Sequence, residues 1–194
     1  GIPYYAARHE GGAVAMADGY ARVTGRVGVC SVTQGPGVTN TLTALTEARK
    51  ASTPMLLLAG DTAARILRHN QDVDQTAIFK SIGVTVARVR SADTLMIDLS
   101  RAFNQALAAQ QPIAISIPTD IQGLECEADG LAAVTVQTSM PSRPPAEEIR
   151  RAVELIAASK RPAIIAGRGA VRSNAREALE QLAEKVGALL ATTA

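Results

Sequence analysis

Four short apolar runs, separated by stretches of helical periodicity, constrain this 194-residue chain more than any other feature. They are Val27–Thr33, Met55–Gly60, Val84–Val89 and Pro112–Pro118. Short runs that are apolar at nearly every position read as strands covered on both faces, as in a parallel sheet. Residues 10–22 repeat Ala13, Val14, Ala17 and Ala21 at helical spacing, with Gly25 as a stop. Residues 38–50 carry Leu42, Leu45 and Ala48 on one stripe, and 94–110 carry Leu95, Leu99, Phe103 and Leu107. Residues 61–75 are polar and irregular. Strands alternating with helices predict an α/β fold, a parallel sheet flanked by helices.

The pattern changes after residue 122. Residues 123–146 hold acids and then Ser142-Arg143-Pro144-Pro145 without a sustained period, which predicts a linker or extended crossover. From 147 a second unit begins. A helix is expected over 149–158, a strand over 163–167 entering a turn at Arg168-Gly169-Ala170, a helix over 174–186 and a strand over 188–191. This reads as the opening of a second, Rossmann-like α/β domain. The chain starts at Gly1 and stops just after an apparent strand, so both ends are expected to be cuts in a longer protein.

Composition narrows the function classes. The net charge is +2 with both signs interspersed, which argues against a nucleic-acid surface. No apolar run approaches the roughly 20 residues of a membrane span. The two cysteines, Cys30 and Cys126, have no metal-ligand spacing; Cys30 reads as a small core residue, and the pattern fits a reduced cytoplasm.

Two stretches could carry chemistry. In Ala7-Arg8-His9-Glu10-Gly11-Gly12-Ala13, a carboxylate stands at the head of a small-residue helix, with open space expected around it. Helix starts favour acids, so a first-turn structural role is the alternative. At the sheet's carboxyl edge, in a partly desolvated pocket, such a group could exchange a proton with a heteroaromatic nitrogen. His9 and Arg8 are expected to pack or pair structurally. In Gln34-Gly35-Pro36-Gly37-Val38-Thr39-Asn40, glycines without Cβ would let backbone approach a flat ligand, and the helix start would offer free N–H groups. A plain tight turn is the alternative there, as a polar first-turn residue is for Asn40. The dinucleotide spacing G-x-G-x-x-G is absent.

Together with Asp18-Gly19-Tyr20-Ala21-Arg22, Thr24-Gly25 and Ile117-Pro118-Thr119-Asp120-Ile121-Gln122, and in this order, these stretches resemble the pyrimidine-binding domain of thiamine-diphosphate enzymes, closest to the acetolactate synthase-like branch. The resemblance implies a pyrimidine-binding domain over 1–122 lacking its first βα unit, a linker over 123–146, and a truncated central domain over 147–194. It implies that Glu10 hydrogen-bonds the cofactor's aminopyrimidine nitrogen and promotes deprotonation at thiazolium C2, so that a 2-oxo acid can be attacked and decarboxylated or joined to a second carbonyl compound. Gly35, Pro36, Gly37 and Asn40 would line the pyrimidine pocket. Gln34 and Gln71 would face the substrate, with a loop or strand-end role without ligand as the alternative for each. Thiamine diphosphate and Mg²⁺ are implied, the metal and diphosphate ligands lying outside this chain; FAD or another nucleotide in the central domain is left open. A homodimer or homotetramer with its active site between subunits is implied. Gly11 stands where acetolactate synthases usually have glutamine, and Gln34 where serine is common. Two other readings compete: a non-catalytic nucleotide-binding α/β module using the Gly167 turn, and a pyrimidine-domain subunit of a two-subunit decarboxylase.

Overall fold

The computed structural model describes residues 2–63, 65–66, 68–126 and 142–193. The chain divides into two compact units, Gly1–Ser139 and Met140–Ala194. In the first, β1 (Gly28–Val32), β2 (Met55–Asp61), β3 (Thr85–Arg88) and β4 (Pro112–Pro118) form a wholly parallel sheet in the order β1-β2-β4-β3. The helices are α1 (Glu10–Thr24), α2 (Pro36–Thr39), α3 (Leu42–Lys50), α4 (Gln75–Ser81), α5 (Leu95–Ala109) and α6 (Thr119–Gln122).

The alternation along β2 and β4 explains why both faces are covered. Leu57 and Ala114, paired in register, point into a core with Val14, Ala17, Leu45 and Phe79 from α1, α3 and α4. Their neighbours Leu56, Ile113 and Ile115 join Ala102 and Ala106 of α5 on the opposite face. Each strand residue thus buries its side chain on one side or the other, the reason the sequence shows unbroken apolar runs.

α1 sits directly on β1. A Cβ at Gly28 would run into the Ala17 carbonyl oxygen, so glycine is what allows the helix backbone this close. Arg22 bridges Asp18 at 2.8 Å and Glu47 at 3.3 Å, tying α1 to α3. The Asp-Gly-Tyr-Ala-Arg stretch therefore serves helix packing. α1 closes at Gly25, whose left-handed backbone donates its N–H to the Ala21 carbonyl.

Several expectations are corrected. The helix expected over 38–50 is broken into α2 and α3 by a tighter turn in which the Thr41 N–H bonds the Val38 carbonyl. The stretch 61–75 is not all irregular: Asp61 ends β2 and Gln75 begins α4. The turn at 168–170 is the start of a short helix. The expected linker falls largely on residues 127–141, outside those described.

The second unit holds α7 (Ala146–Ala157), β5 (Ala163–Ala166), α8 (Arg168–Arg172), α9 (Arg176–Val186) and β6 (Leu189–Thr192). β5 and β6 pair in parallel. No described helix is long and apolar enough to cross a membrane.

Candidate active site

The carboxyl ends of β1, β2 and β4 open into a cleft of about 520 Å³. Tyr4, Thr33, Gln34, Gly60, Thr119 and Gln122 are among its lining residues. Ligands of open parallel sheets bind outside the carboxyl ends of the strands, and both stretches singled out above lie there.

Glu10 is the first residue of α1. The helix is capped by His9, whose extended backbone lets its Nδ1 accept the Gly11 N–H at 3.0 Å. His9 thus has a structural task. Arg8 is exposed and has no ion-pair partner among the described residues, contrary to the expected pairing. Asn40, at the end of α2, donates its side-chain N–H to Glu10 Oε2 at 3.0 Å. The two residues are thirty positions apart in sequence, and the break between α2 and α3 delivers the amide to the carboxylate.

The electrostatics of Glu10 differ from expectation. Its own backbone N–H and the Asn40 amide hold the carboxyl below the usual glutamate range, with a small opposing effect of burial. Among the described residues, burial is the lesser influence on this carboxyl. The space around it is also less open than expected. A Cβ at Gly11 would lie 3.3 Å from the Asn40 carbonyl oxygen and 3.2 Å from His9 Nδ1. Gly11 lets the start of α1 approach the α2–α3 junction.

The Gly-Pro-Gly turn is closely packed. Gly35 has φ +61°, and a Cβ there would run into the Gln71 carbonyl oxygen. A Cβ at Gly37 would lie 2.8 Å from Thr33 Cγ2. The missing side chains allow these close contacts within the protein. The Gly35 N–H is already used: it donates to Gln75 Oε1 at 2.9 Å, and Gln75 Nε2 donates to the Gly60 carbonyl at 2.9 Å. Buried Gln75 therefore staples the turn to the end of β2. Sequence reasoning missed it, although Asp74, which caps α4 by accepting the Ala77 N–H at 2.9 Å, marks a helix start just before it.

Gln34 is 5% exposed. Its Nε2 lies 2.9 Å from His69 Nδ1, and its Oε1 is buried with no hydrogen-bond partner among the described residues. The Gln71 N–H also donates to His69 Nδ1, at 3.2 Å. The structure thus brings Gln34, Gly35, His69 and Gln71 together at one end of α2, with Glu10 and Asn40 at the other. His69 was not singled out in the sequence, where it reads as one more polar loop residue. A neighbouring network at the same sheet edge, in which Asp61 accepts from the Ser116 hydroxyl and pairs with Arg88 at 3.6 Å, is self-satisfied. Among the described residues no group of three His, Cys, Asp or Glu side chains could hold a metal ion.

A parallel α/β domain with a carboxylate at a helix start and a buried glycine turn at its carboxyl edge is a ligand-binding domain of the open-sheet class. Comparison with known proteins narrows this. Residues 1–78 match the thiamine pyrophosphate enzyme N-terminal TPP binding domain, and residues 149–194 match the central domain of the same enzymes. The acetolactate synthase large subunit of Corynebacterium glutamicum is 35% identical over 192 residues, covering 96% of this chain and 30% of that protein. A probable 2-ketoarginine decarboxylase of Pseudomonas aeruginosa is 38% identical over 201 residues, covering 100% of this chain and 35% of that protein. Glyoxylate carboligase of Escherichia coli O157:H7 is 36% identical over 192 residues, covering 95% of this chain and 32% of that protein. The chain belongs to the thiamine pyrophosphate enzyme family. It spans about a third of the length of these relatives.

Proposed function

We propose that this chain supplies the pyrimidine side of the active site in a thiamine-diphosphate-dependent enzyme that decarboxylates a 2-oxo acid, joins it to a second carbonyl compound, or both. The observation that carries this reading is the Glu10–Asn40 pair at the carboxyl edge of the sheet. The residues present fit the group: a carboxylate with one oxygen held by Asn40, at the sheet edge where an open cleft also lies, suits a flat heteroaromatic ring bearing nitrogen donors. When bound, thiamine diphosphate supplies a nucleophilic carbon and an electron sink.

Glu10 holds or releases a proton at its carboxylate oxygens toward a ring nitrogen. Asn40 fixes Oε2 and so the direction of the carboxylate. Covering Glu10 with a flat heteroaromatic ring would strip water from it and raise its proton affinity toward that of the bound nitrogen. Gly35, Pro36 and Gly37 line the pyrimidine pocket in this reading, and Gln75 holds their turn in place. Gln34 and Gln71 lie on the substrate side in this reading. Residues 1–122 act as the pyrimidine-binding domain, 123–146 as the linker and 147–194 as the start of the central domain. Mg²⁺ and the diphosphate are held by residues outside this chain, in a cytoplasmic homodimer or homotetramer. The names of the relatives span carboligation and decarboxylation, so both reactions belong to the proposal.

Calorimetric titration of thiamine diphosphate with Mg²⁺ into the full-length protein tests the reading. Tight, Mg²⁺-dependent binding weakened by Glu10→Ala is expected, and Glu10→Gln should lower turnover by about 10² or more, the usual worth of positioned acid–base help. Activity surviving Glu10→Gln within about tenfold would remove the proton role from Glu10.

A further inference from the structure

Gln75 opens α4 beside its cap Asp74 and is 4% exposed. Both ends of its amide are used. Oε1 accepts the Gly35 N–H and Nε2 donates to the Gly60 carbonyl, each at 2.9 Å. A backbone N–H only donates and a backbone carbonyl only accepts, so the amide has one orientation. Gly35 is the N-cap of α2 and offers no side chain of its own to hold the turn. α2 is a single turn, Pro36–Thr39. Its middle is anchored by Val38, fully buried in the core. Its entry is held by Gln75, and its exit carries Asn40, whose amide donates to Glu10 Oε2 at 3.0 Å. The Thr39 N–H bonds the Gly35 carbonyl and the Asn40 N–H bonds the Pro36 carbonyl, both at 3.0 Å, so successive helical bonds join the two ends. Four residues of helix span about 6 Å, too short a length to absorb a shift at the entry. Without the Gln75 amide the buried Gly35 N–H would lose its partner, and the turn would have to move to find another.

We propose that Gln75 is a positioning residue for Glu10: by fixing the entry of α2, it sets where the Asn40 amide meets the carboxylate. Its own side-chain bonds go to Gly35 and Gly60, so its effect on Glu10 passes through Asn40. The kinetic consequence rests on the thiamine-diphosphate reading above. The structural consequence belongs to the ligand-free protein, and the test reads the two separately.

The experiment is a double-mutant cycle in the full-length protein. Gln75→Met keeps the side-chain length and removes both hydrogen bonds. Side-chain ¹³C NMR of the ligand-free protein should show Gln75→Met moving the Glu10 titration upward, in the direction of Asn40→Ala. Combining the two should move it no further, because both remove the same hydrogen bond from the carboxylate. A merely structural staple would lower the urea midpoint and leave the Glu10 titration where it stands in the wild type. That result overturns the proposal, as does a movement as large in the Asn40→Ala background as alone. In turnover with thiamine diphosphate and Mg²⁺, each single variant should lower kcat about tenfold, and the double variant about tenfold as well. A double variant down about a hundredfold would show two independent effects and overturn the proposal too. A wild type that binds no thiamine diphosphate removes the underlying reading and the kinetic comparison, while the Glu10 titration still decides this inference. Gln75→Asn, one methylene shorter and unable to span Gly35 and Gly60, carries the same expectations should Gln75→Met fail to fold. In the wild type, hydrogen exchange should find the Gly35 amide protected, and exchange as fast as in an unfolded chain would overturn the bond on which the proposal stands.

Discussion

Glu10 is half-buried in this chain, yet its acidity is set by hydrogen bonds rather than by burial. Its own backbone N–H is the larger cause and the Asn40 amide the next, and both favour the charged form. A carboxyl whose folded value is depressed contributes stability above its unfolded value and loses it as pH falls through the folded value. Asn40→Ala should therefore shift the Glu10 titration upward, toward the ordinary glutamate range, without abolishing the depression due to the backbone. Side-chain ¹³C NMR across acid pH measures this, and an unmoved titration would break the link between the two residues. Cys30 shows the opposite case. Burial pushes its thiol up to about 12, and the Leu56 carbonyl, at 3.9 Å, is its hydrogen-bond partner among the described residues. The thiolate is the reactive form, so iodoacetamide at about pH 8 should modify Cys30 slowly in the native protein and readily after denaturation. Rapid modification in the native state would contradict its place in the core.

At the scale of elements, the contact between α1 and β1 is the one that fixes where Glu10 stands. Gly28→Ala would force the helix backbone away from the strand and should cost about 1–3 kcal/mol, as other overpacked sites do. Gly19→Ala lies on the same helix with nothing within 4 Å of the added Cβ, and should instead stabilise by up to about 1 kcal/mol. Urea denaturation of the two variants separates them, and equal effects would argue against close α1–β1 packing. The strands and long helices of this domain were legible because both faces of β2 and β4 are covered, which writes an unbroken apolar run, and because α5 repeats its leucines every turn. The short elements were not. α4 and α6 are too brief to show a period, and no glycine or proline separates α2 from α3. The candidate site was legible as far as Glu10, Asn40 and the glycine turn. What the glycines do was not, because their neighbours, Gln71, Thr33 and Gln75, come from packing across the sheet edge. Gln75 and His69 carried no signal of their own: in a polar stretch a buried staple looks like a solvated side chain.

At the scale of the molecule, the chain carries one side of the proposed site. Its cleft is lined by neutral side chains, and its described residues offer no cluster of three ligands for a divalent ion. A diphosphate needs such an ion or several cationic partners, so the pyrimidine side alone gains little of the cofactor's binding energy. The expected outcome is a contrast between two proteins. For residues 1–194 alone, thiamine diphosphate with Mg²⁺ should leave the thermal midpoint unchanged. For the full-length protein, ligand at about a hundredfold over its Kd should stabilise the native state by about 2.7 kcal/mol and raise the midpoint measurably. Glu10→Ala in the full-length protein should reduce that rise, measured from the variant's own ligand-free midpoint, because Kd weakens. Differential scanning calorimetry with and without Mg²⁺ reads all three. A Mg²⁺-dependent rise in residues 1–194 alone would place a metal site within this chain and overturn the division of labour proposed for it.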